Sequence, residues 1–523
     1  MKWLKRIAFA LVALVTLAAL VLAIEGYRAK RAWEACKQAL AAKGESLDWQ
    51  ALAPAPVPDE QNFLATPLLA RCFGFGPDSA NRAEDTNACD TLSELFQSSR
   101  SLTFGNWRTA TVTPLEVWQT QLRGPSESES DGGIDRRMAE RYGLSADQIP
   151  ARAPASTEDP ALLALRARPP GTAVEDLRFL LEQERAVLDE LRAAGHRPHA
   201  QLKFTPAALG GPWMDQLARL KSLMYPPRTA AWTELVAGNP EAALTEIETM
   251  LKVCEAGGSQ PLLIAGLVKL ALVDLTVQTI WAGLAEHRWP DAQLIELERH
   301  LARMNQVADM QRSMRGERAF SLAHLLVEAP SPGGGAPVMP DDPTQNALRH
   351  WPSAFVYRNQ INIARAIQTL LIDRLDPAGP SVRLIQSEAN RQARKRYNSR
   401  TPYNVFAALL LPAYENILQK AASGQAGVSL ARIACALERH RLADGHYPER
   451  LDELVPRFLD RLPPDPVNGE PMKYRREAPD RFVIYSIALN LKDDGGVTEP
   501  AGKKRGETPA HDWVWRSEPA VSP

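Results

Sequence analysis

A run of eighteen uncharged residues, Ile7 to Ile24, behind Lys2, Lys5 and Arg6, limits this chain more than any other feature of its sequence. As a helix it is about 27 Å long, enough for the hydrocarbon core of a thin bilayer. Two fates fit such a segment. Val21 and Ala23 offer positions for cleavage of a secretory signal. The run is long for a signal core, however, so an uncleaved anchor is the expectation. Arg28, Lys30 and Arg31 follow closely, and the basic residues on the two sides nearly balance. The short leading tail is the arrangement shared by export signals and signal anchors. It predicts a single-pass protein of the inner (cytoplasmic) membrane with its body in the periplasm.

The remaining chain has ample material for a core. Its 523 residues allow about two to four domains, and an apolar share of 45% with 24% charged residues belongs to a folded protein. Lys plus Arg number 61 against 62 Asp plus Glu, so no global positive field exists to hold a nucleic acid. Cys36, Cys72, Cys89, Cys254 and Cys435 show no zinc or CxxC spacing. Cys72 and Cys89 flank a loop-like stretch, and outside the cytoplasm they could pair or remain separate thiols.

Punctuation divides the chain into an anchor (1–26), a mixed juxtamembrane region with linkers (27–171), a helical-hairpin domain (172–328), a linker (329–343), a second helical region (344–423), a small α+β module (424–516) and a tail (517–523). The linkers are rich in Pro, Gly and Ser, as in residues 124–135 and 329–343. Asn239-Pro240 marks a helix start, and Ala243, Leu244, Ile247, Met250, Leu251 and Cys254 share one face of that helix. A second helix starts near Pro290-Asp291. Between them Leu262 to Ala285 is apolar nearly all round. Lys269, Asp274 and Gln278 make a membrane span costly there, so a helix buried among helices is expected. Helix, turn and helix around Gly238 are loosely similar to a tetratricopeptide hairpin, without a steady repeat. The predicted class is mainly α: an N-terminal transmembrane helix, a solenoid-like helical-hairpin body and a C-terminal α+β module. The basic run Arg391, Arg394, Lys395 and Arg396 reads as a solvated helix face, with anionic lipid as the minority reading.

In the last hundred residues a helix from about Gly427 to Ala443 ends at Asp444-Gly445. A short amphipathic helix with Leu451, Leu454 and Val455 comes next. After the stiff turn LPPDPVNGEP come strands Met472 to Arg476 and Arg481 to Ala488. In the second strand Phe482, Ile484 and Ser486 alternate with Val483, Tyr485 and Ile487.

YPERLDELVP, LPPDPVNGEPMKYR, FVIYSIALNLKDDGG and the late Asp512-Trp513 together resemble the C-terminal domain of the major pseudopilin of type II secretion. The resemblance implies the order helix, short helix, proline-rich turn, two strands and calcium-binding loop. It places a possible Ca²⁺ site at Asn490, Asp493, Asp494 and Asp512. Clustered hard oxygens are the right chemistry for calcium, and Gly495-Gly496 lets the backbone bend. A plain polar turn uses the same residue types. The hydrophobic helix has no leader before it, and roughly 400 residues separate it from the module. An ordinary pseudopilus subunit is therefore not expected. The whole chain also resembles a group of bacterial membrane-anchored proteins with a VPDEQNFLATPLL-like motif (Val57 to Leu69). That resemblance implies architecture and no chemistry.

The sequence has no GxSxG, Walker A, HExxH or GxGxxG motif. His196, His199, His440 and His446 lie near turns and mark no site. The leading expectation is an interaction or scaffold protein that is held in the membrane and binds a protein partner, without nucleic acid. An envelope hydrolase with a cleft between body and tail, and an accessory part of a secretion or pilus-like system, are the alternatives.

Overall fold

The computed structural model of the protein describes residues 2–75, 102, 105–113, 115–123, 160–204, 212–324, 351–383, 392, 395, 397, 401–414, 416–497 and 511–518. The protein is mainly α, with an N-terminal apolar helix and small sheets. The longer helices are α1 (Lys2–Ala41), α2 (Arg185–Ala194), α3 (Tyr225–Val236), α4 (Pro240–Gly257), α5 (Leu263–Ala285), α6 (Asp291–Ala302), α7 (Gln306–His324), α8 (Ser353–Leu370) and α9 (Ile417–Asp444). Strands β1 (Lys473–Ala478), β2 (Arg481–Ser486) and β3 (Trp513–Arg516) form the C-terminal sheet.

Helix α1 has two halves of different chemistry. From Ile7 to Ile24 every side chain is exposed and uncharged, and nearly all are apolar. Such a helix is compatible with a membrane anchor and equally with a signal sequence. From Gly26 onward a stripe of Ala29, Trp33, Cys36 and Leu40 is buried, spaced three and four apart. The stripe packs on α8, which runs parallel to it. Gly26 lies against Ser353, and further along Lys43 pairs with Asp373 at 3.4 Å.

The turn after α3 is the expected one, with Gly238 at φ +83° and Pro240 opening α4. Asn239 holds the N-cap position but does not cap with its side chain. Its amide instead donates to Glu234 Oε2 at 2.7 Å. Helix α5 packs on α4, α7 and α9. The polar residues that argued against a membrane span are paired inside the protein. Lys269 meets Asp309 at 2.6 Å, and Asp274 accepts from Arg108 at 3.0 Å and Gln278 at 2.7 Å.

Two hydrophobic clusters organise the body. One holds Trp107, Trp232, Trp281, Trp289 and the inner face of the C-terminal sheet. The other gathers α1, α7, α8 and the start of α9. Helix α9 is common to both: Ile417, Ala421 and Ala422 serve the second cluster, and Val428, Leu430, Ile433 and Leu437 serve the first. It begins ten residues before the expected Gly427, because the stretch KAASGQAG has no apolar periodicity to read. It ends as expected at Gly445, φ +80°.

The VPDEQNFLATPLL motif is a clasp. Buried Asn62 receives the Gln201 amide at 3.0 Å and donates to the Gln201 carbonyl at 2.9 Å. The Phe63 amide donates to the His199 carbonyl at 2.7 Å, and the Leu68 amide donates to Glu190 at 2.8 Å. Cys89 lies outside the described residues, and with it the pairing considered for buried Cys72; Arg391, Arg394 and Arg396 also lie outside them.

Candidate functional site

The C-terminal sheet has the antiparallel order β1-β2-β3. Strand β2 is buried on both faces. Phe482 and Ile484 face inward with Trp515, while Val483 and Tyr485 form a separate outer cluster with Val514. Strand β3 is an element that periodicity missed. It is four residues long and comes after the insertion 498–510, which lies outside the described residues. The inner face is continuous with the helical body. The rings of Trp107 and Trp515 lie 5.7 Å apart, and the Trp281 indole donates to the Arg516 carbonyl at 3.1 Å. The junction of body and module is therefore packed at this point.

Asp465, from the stiff turn, is a tie that sequence reading did not single out. It is buried and accepts from the Val467 amide at 3.0 Å, the Ser486 hydroxyl at 2.9 Å and the Ile487 amide at 3.0 Å. The turn is thereby fastened to the end of β2, where the acidic loop begins.

That loop covers the outer face of the sheet. Gly496, at φ +75°, sits against Tyr485 and Val483, so a side chain there would be strained and crowded. Ala488 and Leu491 also take positive φ, at 49° and 58°. The four expected residues are brought to one place. Asp493 Oδ1 accepts from the Tyr485 hydroxyl at 2.9 Å and the Gly495 amide at 3.0 Å. Asp494 Oδ2 accepts from the Asn490 amide at 2.6 Å. Asp512 Oδ2 accepts from the Gly496 amide at 2.8 Å. Its other oxygen, Oδ1, is buried with no hydrogen-bond partner, and the residue is only 5% exposed. Burial pushes the Asp512 carboxyl up. The amides of Gly496 and Asp494 pull against this, and the charges of Asp494 and Asp493 push it further. A buried acceptor with no donor, crowded by like charges, fits a cation. Among the described residues no three His, Cys, Asp or Glu side chains already stand as a metal-binding group. A bound ion would thus draw on loop carbonyls and Asn490 as well as the carboxylates.

A second feature is a groove of about 540 Å³ crossing α2, α4 and α6. Arg192, His196, Lys252, His300 and Arg303 line it, against the two acids Glu248 and Glu255. His300 Nε2 lies 3.1 Å from Glu248. Behind the lip Arg192 meets the buried Glu246 at 2.5 Å. Burial raises the Glu246 carboxyl to about 7 despite that partner. The sequence displayed these residues only as polar faces of separate helices, so nothing in it marked the groove.

Glu438 joins α9 to its surroundings. It accepts from Tyr447 at 2.8 Å and Arg441 at 2.6 Å, and lies 2.9 Å from His287 Nδ1. Burial opposes its ionisation, but the hydrogen bonds of His287 and Arg441 outweigh that and hold it at about 2. Burial also keeps the Tyr447 hydroxyl protonated far above its ordinary range. The group is a fixed ion network tying His287 and Tyr447 to α9.

Comparisons with family models, with curated proteins and with solved structures found no match.

Proposed function

We propose that this chain is a membrane-anchored envelope protein that acts by binding an acidic segment of a protein partner. The observation that carries this reading is the groove across α2, α4 and α6, where five basic or imidazole side chains face two acids. Lys252 already meets Glu255 at 3.2 Å and His300 lies 3.1 Å from Glu248, so the groove holds charges of both signs, and an acidic segment would bind by displacing these acids from their cations. The exposed apolar half of α1 supports the anchor, and the uncleaved, periplasm-facing topology belongs to the same proposal. The test is a photo-crosslinking residue at Thr245, inside the groove, in the full chain in its native membranes, with Ala292 on α6 as an exposed position outside it. One adduct of defined mass at Thr245, absent at 292 and lost in Lys252→Glu/Arg303→Glu, is expected. Equal adducts at both positions, or an adduct indifferent to charge reversal, would remove the reading.

The acidic loop is proposed as a calcium site that stiffens the module, and the module itself as a reused pseudopilin-like domain. The orphaned Asp512 Oδ1 supports the ion. An ion that binds only the folded state stabilises it by about 2.7 kcal/mol at free calcium near 100 Kd. Calcium titrated into the full chain in detergent should give heat and raise its melting temperature, and chelator should reverse both. Asp493→Ala/Asp494→Ala should abolish the heat. A full chain that takes up no heat and melts alike with and without chelator has a polar turn there and no ion.

A further inference from the structure

The parallel packing of α1 and α8 sets the height of everything near Ser353. An ideal Cβ on Gly26 would sit 2.5 Å from Ser353 Oγ and 3.8 Å from the Ala354 amide. The exposed apolar stretch of α1 ends at Ile24, two residues earlier, or about 3 Å along the axis. The start of α8 therefore lies where the anchor leaves the hydrocarbon. At that level the body carries aromatic rings: Trp351 and Phe355 at 6.2 Å, Trp351 and Phe406 at 5.9 Å, Phe355 and Tyr403 at 4.9 Å. None of these four is fully buried, and Tyr403 is 41% exposed. An apolar groove of about 460 Å³ opens among Trp351, Pro352, Phe355, Pro402 and Val405. Arg28, Lys30 and Arg31 stand exposed on α1 within two turns.

We propose that this aromatic patch is a second membrane contact, seated in the headgroup region of the bilayer that holds α1, with the groove taking up part of a lipid chain. Amphipathic rings at this depth are favoured because the ring body leaves water while its polar edge stays hydrated. Ser353 lies level with Gly26, about 3 Å past the end of the apolar run, and each headgroup layer is about 5–8 Å deep. The neighbouring basic residues match anionic headgroups. The body is then held by two points, the spanning helix and this patch, and cannot turn freely about the anchor.

The proposal rests on α1 being retained in the membrane, and the test separates the two. The full chain is reconstituted in vesicles of phosphatidylethanolamine and phosphatidylglycerol. A nitroxide is placed at one position at a time, by Leu20→Cys, Tyr403→Cys or Lys43→Cys, and the unsubstituted chain labelled in parallel gives the background of its own cysteines. Collision with oxygen, which partitions into lipid, is compared with collision with a water-soluble nickel chelate. The label at 403 should share the lipid-like ratio of the label at 20, several-fold above that at 43. A lipid-like ratio at 20 with a water-like ratio at 403 would overturn the patch and leave the anchor standing. Water-like ratios at both would overturn the anchor itself. In micelles without bilayer lipid, the ratio at 403 should fall toward that at 43.

Discussion

Glu45→Ala should destabilise the protein by about 3–5 kcal/mol, the cost of leaving a buried charge without its partner. Glu45 lies just past α1 and is 8% exposed. Its carboxylate takes Arg315 Nη2 at 3.0 Å and Arg318 Nη2 at 2.7 Å. Arg318 is fully buried on α7 and also donates to the Ser46 carbonyl at 3.2 Å and to Gln368 of α8. Burial opposes ionisation at Glu45, and the two guanidinium groups outweigh it, holding the carboxyl below its ordinary value. Removal strands Arg318 in the core between α7 and α8. The double substitution Glu45→Ala/Arg318→Met should recover much of the loss, because an apolar side chain of similar volume needs no counter-charge. Urea unfolding of the full chain in detergent measures both. A midpoint unchanged in Glu45→Ala would show that the carboxylate contributes nothing to holding this network.

Gly316→Ala should be the second large loss, and its sign is what makes it informative. In an exposed helix interior, alanine is favoured over glycine by about 1 kcal/mol. Gly316 lies inside α7, but a Cβ there would collide with the carbonyl oxygen and carbon of Pro261, in the connection between α4 and α5. The obstacle is backbone, which cannot rotate aside like the tip of a long side chain. Relief requires that α7 shift from that connection, and overpacking of this kind costs about 1–3 kcal/mol or more. A thermal melt of the variant should move down. A rise would mean that α7 does not approach Pro261 this closely.

What could be read from the residues was what depends on local repetition. Asn239-Pro240 opened a helix because proline fits its first turn. Leu263–Ala285 was apolar all round because it meets several helices. The hydrophobic run was legible as one long apolar helix, and α1 continues past it to Ala41 as a core helix. The acidic loop was legible because its residues are adjacent, and Asp512 entered through the pseudopilin resemblance. The rest depends on partners far apart in the chain. Glu45 and Arg318 are 273 positions apart, and the groove draws on three helices with no shared motif. Alternation in β2 did not predict that its outer face is buried, because the cover comes from a loop folding back.

The pairing of α1 with α8 also has a consequence in time. The buried stripe on α1 is made first, and the helix that covers it comes roughly 310 residues later. At about 5–20 residues per second, synthesis leaves Ala29, Trp33, Cys36 and Leu40 bare for about 15–60 s. Throughout that interval an apolar stripe stands directly beside the hydrophobic run without the helix that covers it in the finished protein. The newborn protein thus offers a binding face to folding helpers that the finished protein lacks. Its moment of closure is the arrival of Ser353.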